Sequence, residues 1–175
     1  MAKAKPVEIQ RKLDEAEFIS DFEKGLISDS HFRGKICECL DIQSDNETID
    51  DAWNAMLLDI PPTRIDLLKS LATQYRTFIL SNTNSIHMRK FETILKDATG
   101  IHSLDEVCNK VYLSHQVHQR KPEAIIYQTI LTENNLNANQ TLFLDDSLIN
   151  LEGAGKVGIH TFHVQHPDMI FSLFS

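Results

Sequence analysis

Apolar residues recur at helical spacing through the first third of the chain. A first stripe, which predicts a helix ended by Gly25, comprises Phe18, Ile19, Phe22 and Leu26. Ser28 is then placed as the N-cap of a second predicted helix over residues 29–40. A third stripe begins near Glu47 and comprises Ile49, Ala52, Trp53, Met56 and Leu57. These apolar faces predict helices that pack on each other or on a partner domain.

The pattern changes at Pro61-Pro62, after which short apolar runs alternate with helical stripes. Strands are predicted at residues 77–80, 111–113, 141–144 and 161–164. Helices are predicted over 65–71, after Asn84 or Ser85, from Pro122 at a first helical turn, and through Leu151. Apolar strands alternating with helices predict an α/β protein with a parallel sheet covered on both faces. We therefore expect a helical domain over 1–61 and an α/β domain over 62–175.

Composition narrows the class of protein. The 175 residues, 42% of them hydrophobic, are enough for one domain, or for a core with a small additional domain. A net charge of −8 argues against nucleic acid as a partner. No apolar run approaches the roughly 20 residues that span a bilayer, so no membrane partner is expected. The three cysteines form no even framework and no signal peptide is recognised, so the cytoplasm is the expected compartment.

Polar side chains follow three of the predicted strands, where ligands of parallel sheets bind. The first group is Ser81, Asn82, Thr83 and Asn84, which can bind an anion through backbone N–H groups and the Ser81 hydroxyl, or simply cap a helix. Lys121 follows the second strand, at the predicted opening of a helix, and is either a phosphate-binding cation or an ordinary surface lysine.

Two adjacent carboxylates, Asp145 and Asp146, follow the third strand. At about 4 Å and an effective dielectric near 20 they repel by roughly 4 kcal/mol, a cost that a hard cation such as Mg²⁺ removes. Helix capping by one of them is the alternative. Asn150, one turn into the following helix, is placed to brace them. Hydroxyl, lysine and paired carboxylates in this order predict a phosphate and metal site at one edge of the sheet.

That order resembles the haloacid dehalogenase-like hydrolases. Residues 78–84 (Phe-Ile-Leu-Ser-Asn-Thr-Asn) resemble the second motif of the family, and Lys121 with Pro122-Glu123 resembles the third. Residues 142–146, continued by 150–154 and Gly158, resemble the fourth. Residues 22–28 and 52–54 are similar to the helical cap of small-capped phosphatases, namely bacterial glucose-1-phosphatases and the N-terminal domains of epoxide hydrolases.

The resemblance implies a Rossmann-like parallel core with a small N-terminal helical cap, and a Mg²⁺-dependent phosphatase acting through an aspartyl phosphate. By this resemblance Ser81, Asn82 and Thr83 bind the phosphoryl group, and Ser81 and Lys121 are catalytic. Lys121 would neutralise the phosphate and the nucleophile. Asp145 and Asp146 would hold Mg²⁺, with Asp146 as the direct ligand and Asn150 behind it. The implied partner is a small phosphorylated metabolite, with a sugar phosphate as our expectation.

One part of the family pattern is missing. The family's first motif is an apolar strand ending in Asp-x-Asp, of which the first Asp is the nucleophile, and this sequence contains no Asp-x-Asp. Asp21, Asp29, Asp41 and Asp45 all lie in predicted helical parts or loops. The family places that strand centrally, between the strands ending at Ser81 and Asp145. We therefore expect that the first core strand, with the nucleophile, belongs to an N-terminal segment absent from this sequence.

One alternative hypothesis stays open, and another is excluded. A non-catalytic relative that binds phosphate or a protein partner would fit the same residues. A phospho-acceptor receiver domain is excluded, because receivers place the acid pair first and the lysine last. Histidines form a further candidate metal site, although ordinary surface positions are favoured for them: His115 and His118, or His160, His163 and His166.

Overall fold

The computed structural model describes residues 6–174, which form helices and four short strands. The helices are α1 (Pro6–Asp14), α2 (Glu17–Glu23), α3 (Asp29–Leu40), α4 (Asn46–Asn54), α5 (Pro62–Ala72), α6 (Ser85–Thr99), α7 (Ser114–Val117), α8 (Ala124–Glu133), α9 (Leu148–Gly155) and α10 (Met169–Leu173). The strands are β1 (Phe78–Ser81), β2 (Lys110–Leu113), β3 (Leu142–Asp145) and β4 (His160–His163), and single 3₁₀ turns lie at Leu104–Glu106 and Ala138–Gln140. The chain divides into two compact units, the first ending at His118 and the second beginning at Gln119.

Local sequence signals explain where α3 begins and ends. The Ser28 hydroxyl accepts a hydrogen bond from the backbone N–H of His31, as an N-cap does. At the other end Asp41 adopts a left-handed conformation with φ of 53°, which ends the helix. The predicted helix over 29–40 is therefore confirmed at both ends.

Gly25 makes a close backbone contact just after α2. Its φ is +66°, and a Cβ built there would lie 2.2 Å from the carbonyl oxygen of His115. Any larger residue would need both a strained backbone and a displaced carbonyl. The predicted end of the helix at this glycine is confirmed, and the turn after α2 lies against the segment that follows β2.

The core of the first unit joins the N-terminal helices to α6. The buried cluster comprises Phe22, Phe32, Ile36, Ile49 and Ile86, the last from α6. The Arg33 guanidinium donates to both carboxylate oxygens of Asp50, which ties α3 to α4. Since α6 shares this core with α2, α3 and α4, the cap–core boundary at Pro61-Pro62 stays a prediction.

The four strands form two parallel pairs. In the first pair Phe78 lies opposite Lys110 and Ser81 opposite Leu113, while in the second Leu142 lies opposite His160 and Asp145 opposite His163. The parallel strands are as predicted, and no described strand joins the pair β1–β2 to the pair β3–β4. Within residues 6–174, β1 and β3 each have one edge without a partner strand. The strand that the resemblance places between them is not supplied by these residues.

One predicted helix start is wrong. Pro122 was expected in the first turn of a helix, but α8 begins at Ala124 with Glu123 as its N-cap. The backbone N–H of Glu123 donates to the carbonyl of Arg120, so Pro122 belongs to a separate turn over 120–123 in which its bond to Lys121 is cis.

Within the described part of the chain, no helix has the length and apolar character needed to cross a bilayer.

Candidate active site

The second unit contains a buried ion pair at the end of β3. Lys121 Nζ lies 2.7 Å from Asp145 Oδ2, and the two side chains are 12% and 5% exposed. Lys121 is placed by the 120–123 turn and Asp145 is the last residue of β3. Two residues that are 24 positions apart are thereby brought into contact.

Asp145 is held by two further donors from the segment that follows β3. The backbone N–H of Ser147 donates to Oδ1 at 2.8 Å, and the Asn150 amide donates to the same oxygen at 3.0 Å. Burial alone would raise the pKa of Asp145, but the hydrogen bonds from Lys121, Asn150 and Ser147 outweigh it, so the pKa is lowered. Asp145 is therefore fixed as an oriented carboxylate, to which Asn150 donates one of the hydrogen bonds.

Asp146 differs from Asp145 in its exposure to solvent and in its hydrogen bonds. Its side chain is exposed, and no described residue donates a hydrogen bond to its carboxylate. Its backbone carbonyl accepts from His163 Nε2 at 3.1 Å. Mg²⁺ prefers one or two carboxylates together with waters and a phosphate, so this donor set fits that ion. No cluster of three or more His, Cys, Asp or Glu side chains suited to a metal occurs in residues 6–174.

Tyr127 and Gly153 pack close to the segments that carry Lys121 and Asp145. The Tyr127 hydroxyl donates to the Asn150 carbonyl at 2.7 Å, and its burial, aided by the charge of Asp145, raises its pKa to about 12. A Cβ at Gly153 would lie 2.5 Å from the Pro122 carbonyl oxygen and 3.1 Å from Cε2 of Tyr127. The glycine therefore allows α9 to approach the turn that carries Lys121.

Replacing Gly153 with alanine is expected to displace the 120–123 turn and to destabilise the protein by about 1–3 kcal/mol. The reason is the overlap of the new methyl group with the Pro122 carbonyl, which is backbone and must move together with Lys121. Urea unfolding followed by far-UV circular dichroism measures the loss.

Gly155→Ala is the matched control, because a Cβ there meets nothing within 4 Å in the same helix. It is expected to be neutral or stabilising by up to about 1 kcal/mol. Equal stabilities of the two variants would show that the contact between α9 and the turn is not tight.

The segment after β1 supplies the first predicted anion-binding group. The Ser81 hydroxyl is partly exposed and makes no hydrogen bond with a described residue. Asn84 is 1% exposed, and its side chain caps α6 by accepting from the backbone N–H of His87 at 3.0 Å. The capping interpretation is thus confirmed for Asn84 and leaves Ser81 as the available side chain.

Ser114, which sequence reasoning missed, reduces the number of free donors in this loop. It is fully buried at the start of α7, and its hydroxyl accepts from the Thr83 N–H and donates to the Thr83 carbonyl, both at 2.9 Å. The backbone of Thr83 is therefore engaged within the protein, which takes its N–H out of the predicted anion cradle. The position of Ser114 directly after a strand is the only sequence signal for this contact.

Three of the candidate histidines bind carbonyl oxygens, whereas the buried His115 Nδ1 has no hydrogen-bond partner among the described residues. His118 Nδ1 lies 2.7 Å from the carbonyl oxygen of Lys24, and His160 Nε2 lies 3.1 Å from that of Asn139. His163 bonds to the Asp146 carbonyl as described above. These contacts agree with ordinary structural histidines rather than with a transition-metal site.

Known proteins resemble this chain along most of its length. Residues 40–164 match a sequence model of the family described as haloacid dehalogenase-like hydrolase. The D-ribitol-5-phosphate phosphatase of Bacteroides thetaiotaomicron is 24% identical over 155 residues, which are 89% of this chain and 75% of that protein.

Two solved structures extend this likeness. One is a wild-type haloacid dehalogenase (HAD) family enzyme from Bacteroides thetaiotaomicron, in complex with magnesium and inorganic phosphate. It is 32% identical to this chain with a TM-score of 0.85, and the match spans 95% of this chain and 84% of that enzyme. A HAD-like family hydrolase of Porphyromonas gingivalis is 27% identical with a TM-score of 0.81, covering 95% and 83%. The likeness thus includes the helices before Pro61 as well as the strands.

Proposed function

The chain belongs to the haloacid dehalogenase-like hydrolases, and from this premise we propose that it carries the phosphate- and Mg²⁺-binding groups of a phosphatase for a small phosphate ester. The observation that supports this most is the buried Lys121–Asp145 pair beside the exposed carboxylate of Asp146. The α/β fold with parallel strands and the enzyme class predicted from the sequence are confirmed by the family and by the solved relatives.

The proposed substrate is the phosphate ester of a sugar or sugar alcohol. The relative named D-ribitol-5-phosphate phosphatase supports a short polyhydroxylated alcohol as the leaving group. A net charge of −8 does not oppose an anionic substrate, because one lysine and one divalent cation reverse the field locally.

Lys121, Asp145 and Asp146 would act together on the phosphoryl group. We propose Asp146 as the direct ligand of Mg²⁺, with Asp145 held in place behind it by Asn150 and Lys121. The cation supplies charge neutralisation on the phosphoryl oxygens when it is bound. The Lys121 ammonium adds a second positive charge, so phosphoryl transfer is favoured by positioning and electrostatics.

In the first unit, Ser81 and Asn82 are the proposed ligands of the phosphoryl oxygens. The Ser81 hydroxyl has no hydrogen-bond partner among the described residues, so it can donate to an anion. Thr83 contributes less than the resemblance implied, because Ser114 occupies its backbone N–H.

The proposed nucleophile is an aspartate outside the described residues. The sequence contains no Asp-x-Asp, and within residues 6–174 no strand pairs with the second edge of β1 or of β3. The chain by itself is then expected to bind phosphate with Mg²⁺ but not to hydrolyse p-nitrophenyl phosphate. The alternative is a non-catalytic relative that only binds. The coding sequence upstream of Met1 discriminates, since an apolar strand ending in Asp-x-Asp is required by the enzyme alone.

Replacing Asp146 with asparagine is expected to weaken Mg²⁺ binding about tenfold or more, or about 1.4 kcal/mol, because a charged ligand becomes neutral. Isothermal titration of Mg²⁺ in the presence of inorganic phosphate measures the change. Asp168→Asn is the matched control, since Asp168 is exposed in the same unit and caps nothing with its side chain. Equal Mg²⁺ affinity of the two variants would contradict the assignment of Asp146.

A further inference from the structure

His87 is held in a single protonation state by its neighbours. Its backbone N–H donates to Asn84 Oδ1, which turns the Asn84 amide nitrogen towards His87 Nδ1 at 3.2 Å. An amide nitrogen only donates, so Nδ1 is an acceptor without a proton. Nε2 lies 3.0 Å from the carbonyl oxygen of Trp53, which only accepts, so Nε2 carries the proton. His87 is therefore neutral, with one tautomer fixed on both sides.

This histidine joins two parts of the first unit that the sequence separates. Trp53 lies in the last turn of α4, and its indole stacks on the His87 imidazole with ring centroids 5.3 Å apart and an interplanar angle of 13°. Asn84 ends the segment 81–84 and caps α6. Because His87 is only 8% exposed, water does not compete for these contacts.

We propose that His87 is a positioning residue for the phosphate-binding segment 81–84, which it holds through Asn84 against the last turn of α4. The inference rests on the proposed function, since the segment binds anions only if Ser81 and Asn82 contact the phosphoryl group. His87 itself need not touch substrate. Its effect passes through Asn84, the residue that both ends the segment and begins α6.

A second proton on His87 would break this link. Nδ1–H would then face the amide N–H of Asn84, donor against donor, and the Asn84 side chain would have to turn away from its cap. Burial lowers the pKa of His87, and the bond to the Trp53 carbonyl opposes this only in part. The neutral form is thus the form present near neutral pH, and the link is lost as pH falls through the lowered pKa.

Charged side chains lie on the helices near His87, and several of them pair with one another. On the packed helices Arg33 pairs with Asp50 and Asp29 pairs with Arg89, while Asp51 is exposed. None of these charges contributes to the shift of the His87 pKa. Burial also lowers the pKa of a second histidine, His115. A test must therefore separate these two histidines.

The full chain offers its own reporter, because Trp53 is its single tryptophan and stacks on His87. Trp53 fluorescence and sulfate affinity are measured between about pH 5 and pH 8, where sulfate keeps its charge while a phosphate ester titrates near pH 6. His87→Gln can still donate to Trp53 and accept from Asn84 without titrating. His87→Leu can do neither, and His102→Gln is the control at an exposed histidine.

In the unaltered chain we expect sulfate affinity and Trp53 fluorescence to change with one midpoint, below the ordinary histidine pKa of about 6.5. His87→Gln should keep the neutral-pH affinity and lose both pH-dependent changes, and His102→Gln should keep them. His87→Leu should bind sulfate about tenfold more weakly at neutral pH, with circular dichroism reporting whether it folds.

Two results overturn the role of His87 alone: an unchanged pH dependence in His87→Gln, which would point to His115, or wild-type sulfate affinity in folded His87→Leu. Where His87→Leu does not fold, the pH profile of His87→Gln decides. Absence of sulfate binding to the unaltered chain at every pH would overturn the proposed function, and this inference with it.

Discussion

Replacing Lys121 with methionine is expected to lower the free energy of unfolding by about 3–5 kcal/mol, because the variant leaves the buried Asp145 carboxylate without its cation. Binding of inorganic phosphate should be lost at the same time, since the positive charge proposed to meet it is gone. Urea unfolding followed by far-UV circular dichroism measures the first effect. Trp53, the single tryptophan, lies in the first unit and its fluorescence reports on unfolding there.

The pH dependence of this loss has a definite sign. The lowered pKa of Asp145 means that its stabilising contribution is present above the unfolded-state value of about 3.9 and is lost as pH falls through the folded-state value. Without Lys121, burial is less opposed and the pKa of Asp145 rises. The difference in stability between the two proteins is therefore largest near neutral pH and narrows below about pH 4, where the carboxyl is protonated in both.

Lys156→Met is the matched control, because Lys156 is exposed in the same unit and should change stability by no more than about 0.5 kcal/mol. The double variant Lys121→Met with Asp145→Leu should be less destabilised than Lys121→Met alone, since no unpaired charge stays buried. An equal or larger loss in the double variant would show that the cost comes from packing rather than from charge.

Replacing Phe32 with alanine is expected to cost about 3–5 kcal/mol in the first unit. Phe32 is fully buried and stacks on Phe22 with ring centroids 4.0 Å apart. The centroids of the Phe32 and Trp53 rings are 4.8 Å apart. Removing its ring leaves a cavity beneath the indole that stacks on His87. Trp53 fluorescence should therefore change in the folded state as well as report unfolding at lower urea concentration.

Leu26→Ala tests whether burial is the cause. Leu26 is 60% exposed, so the same kind of truncation there should change the free energy of unfolding by less than about 0.5 kcal/mol. A loss below about 1 kcal/mol for Phe32→Ala would indicate that the aromatic cluster is not a closed core.

Features that depend on short stretches of sequence were predictable. Ser28 as a cap, Gly25 as a stop and the four parallel strands follow from side-chain chemistry within a few residues. Lys121 and Asp145 were predicted to lie at one edge of the sheet because the ends of parallel strands gather polar groups, and a direct hydrogen bond joins them in the structure.

Features that depend on tertiary contacts were not predictable from the sequence. Pro122 has the residue type of a first helical turn, yet the close approach of Gly153 places it in a separate turn. Ser114 and His87 carry no local signal, since an ordinary serine and histidine become significant only through Thr83 and Trp53.

The edges of β1 and β3 that lack a partner strand among residues 6–174 have a consequence for handling the protein. Each edge is a row of backbone donors and acceptors that another copy can pair with, although four residues give a short template. Mutual repulsion from a net charge of −8 keeps copies apart in dilute buffer, and at 1 M salt it acts over only about 3 Å. The solubility of the chain should therefore fall as salt is added, and the chain should be stored in buffers of low ionic strength.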